Sequence, residues 1–319
     1  MRTITTIGIE SSPNGTLMSE TKQPVIIEHA SDTQHKHEKK PHIADSASRM
    51  LHIAQSFGLD SLISHSAKPN DKGESTLIER ALLREKKRRE LRQKNLEQIL
   101  KLAHSSCKDE AAGDPDQDWL YRFFDMAQEI HNTSMQRLWA QVLKREVTNP
   151  GSTSMKALQI LKDMTPKEAL TLQRAASLGC SFGSDNSRKL LLGFKSHAGL
   201  FSFGKRDTTN TINLGGHNLP YSSLLHLIEL GIILGTELES GEIDFDPALH
   251  LTYQGKSMSL APLSKGVKLV YYRFSPTGNE LCTLLGNKPN TQYYDQLIAL
   301  LSQKFTVQTE VKSSVNYTV

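Results

Sequence analysis

Residues 199–205, GLFSFGK, fit the GxxxxGK spacing of a phosphate-binding loop. Such a loop holds phosphates with backbone amides and a lysine, and it needs a following Ser or Thr for Mg²⁺ and a helix that begins there. Here Arg206 follows, and the next residues, DTTNTINLGG, are typical of a strand or loop. Phe201 and Phe203 alternate as in a strand that buries one face. The segment therefore predicts no nucleotide site.

Three other groups have the residue types that bind metals or act as nucleophiles. His104 and Cys107 lie three positions apart, but no third residue orients the pair. The acidic run of residues 109–118 lacks the glycine and terminal glutamate of a calcium loop. Four histidines lie in a polar segment without a scaffold for tetrahedral geometry, namely His29, His35, His37 and His42. We expect no catalytic residues, no metal site and no cofactor.

The strongest charge pattern is the stretch LLREKKRRELRQKN, residues 82–95. Between Arg84 and Lys94 it has seven basic and two acidic side chains, and residues 84–90 include no apolar side chain. A helix that packs on a core needs an apolar residue every three or four positions. About two turns of this helix should therefore be exposed to solvent.

Two interpretations of the basic stretch remain open. It is a nucleic-acid-binding helix, or it is a solvated helix whose internal electrostatic partner is the acidic segment 109–129. The pairs Glu85–Arg89 and Glu90–Lys94 have the spacing of favourable helical ion pairs. No carboxylate lies four residues before the other candidates for contact with nucleic acid or a partner: Lys86, Lys87, Arg88 and Arg92.

Capping patterns define the helices that carry these residues. Apolar residues at helical spacing predict a first helix from Asp45 to Phe57. A TxxE capping box at Thr76 predicts the start of the basic helix, which should end near His104. A third helix is expected to begin with Asp114 as N-cap and Pro115 in its first turn. The sequence TPKE from Thr165 predicts a further helix that ends near Gly179. Residues 45–178 should be almost entirely helical.

After residue 179 glycines and short β-branched runs become frequent. The runs at 209–214 and 267–274 predict strands, and SSLLHLIELGIIL from Ser222 predicts a helix between them. A last helix is expected from Tyr293 to about Phe305, with Asn290 as N-cap, and the remaining residues are compatible with a strand. This part of the chain is therefore predicted to be α+β.

The helical segment of residues 134–170 contains LWAQVLKREVTNPGSTS. It resembles the LWAxxLxxExxxPGxxS signature of uncharacterised bacterial proteins that carry a domain of unknown function. More distantly, the helical hairpin and its Thr-Pro-Glu helix start are similar to abortive-infection alpha-type proteins implicated in phage defence. The resemblance covers about residues 116–300 and implies no site residues.

A second resemblance is to winged-helix domains, carried by LIELGII at 227–233 and YYRFSPTGNEL at 271–281. Compared with the usual winged-helix pattern, Thr277 and Gly278 occupy shifted positions relative to the end of the strand. The polar residues of the expected recognition helix are Ser222, Ser223, His226 and Glu229, and none is a cation that binds phosphate or guanine. A winged helix here would therefore serve packing or partner binding.

Together these patterns predict an α+β, mostly α protein with a helical N-terminal half and a winged-helix-like α+β C-terminal half. We expect a disordered arm at 1–44, helices including the long basic helix at 45–108, a helical domain at 109–178 and the winged-helix-like α+β domain at 179–319.

The remaining composition narrows the classes of function. The three cysteines are far apart with no CxxC pair, which indicates reduced thiols in a cytoplasmic protein. No apolar run approaches the ~20 residues of a membrane span. The sequence therefore favours a non-enzymatic bacterial protein that acts through an unknown protein partner or as a homo-oligomer, with a defence role implied by the resemblance. The alternative is a nucleic-acid-binding or regulatory protein that uses the basic helix at 80–94.

Overall fold

The computed structural model describes residues 45–60, 76–108, 110–196 and 208–309. The described part up to residue 178 consists of helices and the connections between them, with no strand, in agreement with the prediction that it is almost entirely helical. Its helices are α1 Ser46–Ser56, α2 Leu77–Ser106, α3 Gln117–Ala127, α4 Thr133–Thr148, α5 Met155–Asp163 and α6 Pro166–Leu178.

The helix starts follow from short-range hydrogen bonds, with one correction. The capping boxes at Thr76 and Thr165 are both present. The prediction that Asp114 caps the third helix is wrong, because Asp116 accepts the hydrogen bond from the Trp119 backbone N–H at 2.8 Å. The backbone N–H of Gly113 donates to the Val147 carbonyl, which ties the preceding linker to the end of α4 and delays the helix.

The rest of the described chain forms one antiparallel sheet with helices between its strands. The strands are β1 Gly179–Phe182, β2 Lys189–Ser196, β3 Thr208–Thr211, β4 Leu238–Glu239, β5 Leu249–Tyr253, β6 Lys256–Pro262, β7 Val267–Arg273 and β8 Phe305–Thr309. Their order across the sheet is β4-β7-β2-β1-β5-β6-β8, and β3 pairs with β2. The helices are α7 Tyr221–Glu229, α8 Pro276–Leu284 and α9 Thr291–Leu301, with a 3-10 helix at Leu214–His217.

The predicted α+β class is confirmed, and the end of the last helix differs from the prediction. Asn290 caps α9 as expected, but the helix ends at Leu301, because Phe305 is already in a strand that pairs with β6. The winged-helix-like assignment stays a prediction, and β7 is one strand of a larger antiparallel sheet. Residues 1–44 and 199–205, with the histidine cluster and the GxxxxGK motif, lie outside the described residues.

Buried side chains of the helices and the sheet form one hydrophobic core from Ile99 to Phe305. Trp139, Phe123 and Phe194 are completely buried in it, and both faces of β2 contribute. Helix α1 contributes no member to this core, and α2 enters it only with its C-terminal half. The described residues before 95, namely 45–60 and 76–94, therefore stand outside the main core.

Candidate interaction arm

Helix α2 is packed at one end and exposed at the other. Residues 77–94 include no buried side chain, whereas Asn95, Ile99 and Ala103 are buried. The exposed part has 18 residues and is about 27 Å long at 1.5 Å per residue. We call residues 45–60 and 77–94 the arm. None of residues 84–90 is buried, as predicted, and Glu85 and Lys87 are half-buried.

A buried amide fixes the base of the arm. The Asn95 side chain donates to the Gln128 carbonyl at 2.8 Å and accepts from the Gln136 side chain at 3.2 Å. Its Nδ2 also lies 3.1 Å from Nδ1 of His131. Because buried amides need all of their partners, these contacts set where α2 crosses the connection between α3 and α4.

The basic stretch has an internal partner in the acidic segment. Glu129 accepts from Arg88 at 3.4 Å and also pairs with Arg92. Of the two expected helical pairs, Glu85–Arg89 is present at 3.2 Å, but Glu90 and Lys94 form no ion pair in the described chain. The structure thus joins Arg88 and Arg92 to the body of the protein through one carboxylate.

The two candidate lysines are placed differently. Lys86 is exposed, and Lys87 is half-buried beside Gly58, just after α1. Within the described residues, neither lysine forms an ion pair, and the same holds for Arg84 and Lys94. The four predicted contact residues therefore divide into two paired arginines and two unpaired lysines.

The arm also carries large apolar side chains that the sequence reasoning did not use. Eight of them have 45–76% of their surface exposed, and α1 buries only Ala54. Gly58, just after α1, lies against Arg84 and Lys87 of α2. A usable signal was the apolar cluster LIERALL directly before the basic run. We call the eight residues the arm patch: Met50, Ile53, Phe57, Leu59, Leu77, Ile78, Leu82 and Leu83.

The signature segment, in contrast, is structural. The Glu146 carboxylate is 1% exposed and accepts hydrogen bonds from the backbone N–H groups of Gly151 and Thr153 and from the Ser152 hydroxyl. It therefore holds the turn between α4 and α5. A shallow depression of about 690 Å³ lies beside this turn and is lined partly by Asp114, Asp116 and Asp118.

Neither of the two buried cysteines has an activated thiol. Burial raises the pKa of the thiols of Cys180 and Cys282 to about 12, so both are protonated at neutral pH. Cys107 is exposed at the end of α2, and its thiol donates to the Ala103 carbonyl. In the described ranges no cluster of His, Cys, Asp and Glu is arranged to hold a metal ion. No helix within them is long and apolar enough to cross a bilayer.

Comparison with known proteins gives one result. The family described as Protein of unknown function (DUF2806) matches residues 79–298, which include the basic stretch, the core helices and most of the sheet. No curated protein and no solved structure matches the chain. The likeness to abortive-infection alpha-type proteins therefore stays a prediction. The match spans more than half of the chain, and this protein belongs to the DUF2806 family.

Proposed function

We propose that this protein is a non-enzymatic cytoplasmic protein that acts by binding protein partners through the arm. The observation that carries the proposal is the arm patch, whose large apolar side chains are exposed and are not part of the hydrophobic core. Exposed apolar surface of this extent commonly marks an interaction site, because burial of apolar area is the main driving force of protein association.

Site-specific photo-crosslinking of the full chain in its host cells tests this proposal. A photoreactive amino acid at Leu82 in the arm should form adducts with protein. The same amino acid at Leu263 is the matched control, because the two leucines are 65% and 59% exposed and Leu263 lies outside the arm. Equal adduct patterns at the two positions, or none at Leu82, would contradict the proposal.

The second candidate function is nucleic-acid binding through the basic stretch. It is favoured by the unpaired cations Arg84, Lys86, Lys87 and Lys94 on one exposed helix. Lys86→Glu together with Lys87→Glu should weaken binding to duplex DNA or RNA and reduce the salt slope by about 1 per lost phosphate contact. Lys101→Glu, on the exposed side of the same helix, is a control for charge reversal. Absence of salt-sensitive binding by the intact protein would remove this candidate.

A bacterial defence role is supported by the resemblance to abortive-infection alpha-type proteins. Expression of the intact gene during phage challenge should then lower plaque counts, and Leu77→Ser with Leu82→Ser should restore them if the arm carries the activity. Plaque counts equal to those of an empty vector for the intact gene would speak against this role.

A further inference from the structure

We propose that the arm patch is covered by the arm patch of a second copy of this chain, giving a two-fold symmetric dimer. This inference rests on the proposed function, since it names the partner that the arm binds. It uses the area of the patch, the balance of the charges near it and the distribution of its side chains around the helix.

The exposed area of the patch is sufficient for a stable dimer. Its eight side chains, each 45–76% exposed, present on the order of 900 Å² in one chain, and one partner contributes about 800 Å² to a standard interface. Outside the arm, the described chain exposes fewer large apolar residues together: Tyr221 and Leu225 lie one turn apart on α7, and others such as Tyr121 and Leu263 lie on separate elements. The arm is therefore the surface with enough apolar area for a second chain.

The patch is complementary to itself. In a two-fold interface the same surface meets itself, so apolar side chains need no different partner, whereas a surface with an excess of one charge repels its copy. The patch residues on α2 are Leu77, Ile78, Leu82 and Leu83. The only charged residues between these four are Glu79 and Arg80, whose charges are opposite. Apart from Arg80, the cations of this part of α2 lie at residues 84–94, after the four apolar residues along the helix axis. The cations can therefore remain in solvent beside the contact, where salt screens their repulsion over a length of about 8 Å.

A second copy fits the patch better than a lipid surface does. Successive helical residues differ by about 100° in direction, so Leu77, Ile78, Leu82 and Leu83 point to several sides of α2. A planar membrane covers only one side of a helix, whereas helices of another chain can pack on more than one. Glu79 also lies among these residues, and its carboxylate must stay at the Thr76 N–H, 2.7 Å away, to cap the helix. Insertion into lipid would desolvate that charge, whereas a protein interface can leave it at a solvated rim.

Sedimentation of the purified full chain tests the dimer. The wild type should have twice the 35.6 kDa chain mass at micromolar concentration. Leu77→Ser with Leu82→Ser should raise the dissociation constant by at least about 100-fold, because each copy loses two apolar side chains from the contact. Leu263→Ser should leave it unchanged. Tryptophan fluorescence checks that each variant is folded, since Trp119 and Trp139 are both buried.

The outcomes separate this inference from the proposed function. A monomeric wild type, or a dimer that persists in the double leucine variant, overturns the inference. If the chain is monomeric but Leu82 crosslinks specifically to other proteins, the second copy is the wrong partner and the proposed function stands. Binding of a monomeric chain to vesicles of phosphatidylglycerol and phosphatidylcholine, lost in the leucine variant, would assign the patch to lipid and also overturn the inference.

Discussion

At the scale of single residues, Glu146 shows how a charged side chain serves the fold. Its buried carboxylate receives two backbone N–H groups and one hydroxyl of the turn after α4. Glu146→Ala leaves these donors without an acceptor, and we expect the free energy of unfolding to fall by about 3 kcal/mol. Urea titration followed by tryptophan fluorescence measures it. Glu90→Ala, in an exposed turn of α2, is the control, and equal losses in both variants would contradict the assigned role.

A second residue-scale prediction concerns pH. The buried Lys189 ammonium donates to Asp185, with Ser187 and Arg273 as further partners, and the Lys189 bond in particular lowers the pKa of Asp185 from 3.8 to about 2. Because the folded-state pKa is depressed, the stabilisation is complete above about pH 4 and is lost as the pH falls towards 2. It should stay below about 1 kcal/mol, since Asp185 is 41% exposed and solvent screens the pairs.

The measurement is the difference in unfolding free energy between the wild type and Asp185→Asn across this range. The difference should be constant from pH 5 to 7 and shrink between about pH 4 and 2. A difference that does not change with pH would show that Asp185 is not stabilised as an anion by Lys189.

At the scale of elements, one glycine determines how α8 meets the turn after α7. A Cβ on Gly278 would lie 2.1 Å from the carbonyl oxygen of Ile232, and Ser275 at the start of α8 donates to the Ile232 and Gly231 carbonyls. Gly278→Ala must therefore move backbone, and it should destabilise the protein by about 1–3 kcal/mol. Gly216→Ala, where an added Cβ meets no atom, is the control in thermal unfolding. Unchanged stability of Gly278→Ala would refute this close contact.

At the scale of the whole molecule, the protein consists of a packed body and an arm that lies outside its main core. The core contains neither α1 nor the first turns of α2. Leu77→Ser with Leu82→Ser should therefore change the unfolding free energy by less than about 0.5 kcal/mol when both proteins are compared as monomers. Urea titration at low protein concentration measures this. A loss of several kcal/mol would mean that the arm is part of the cooperative fold.

The sequence by itself determined the local features of this protein. The capping boxes at Thr76 and Thr165, the cap at Asn290 and the exposure of residues 84–90 all depend on residues within one or two turns of each other. Hydrogen bonds and side-chain contacts at that distance are set by helix geometry alone, so the pattern of residue types was sufficient to predict them.

Only the tertiary structure decided which distant groups meet. The pairing of Glu129 with Arg88 and Arg92, the start of α3 at Asp116 and the end of α9 before β8 all depend on contacts between separate elements. From the sequence alone, Lys86, Lys87, Arg88 and Arg92 are equivalent candidates. Packing pairs the two arginines with Glu129 and leaves the two lysines without an ion pair among the described residues. The sequence also contains the leucines of the arm, but it does not show that they are exposed. An apolar side chain is buried only if another element covers it, and the hydrophobic core does not include these leucines.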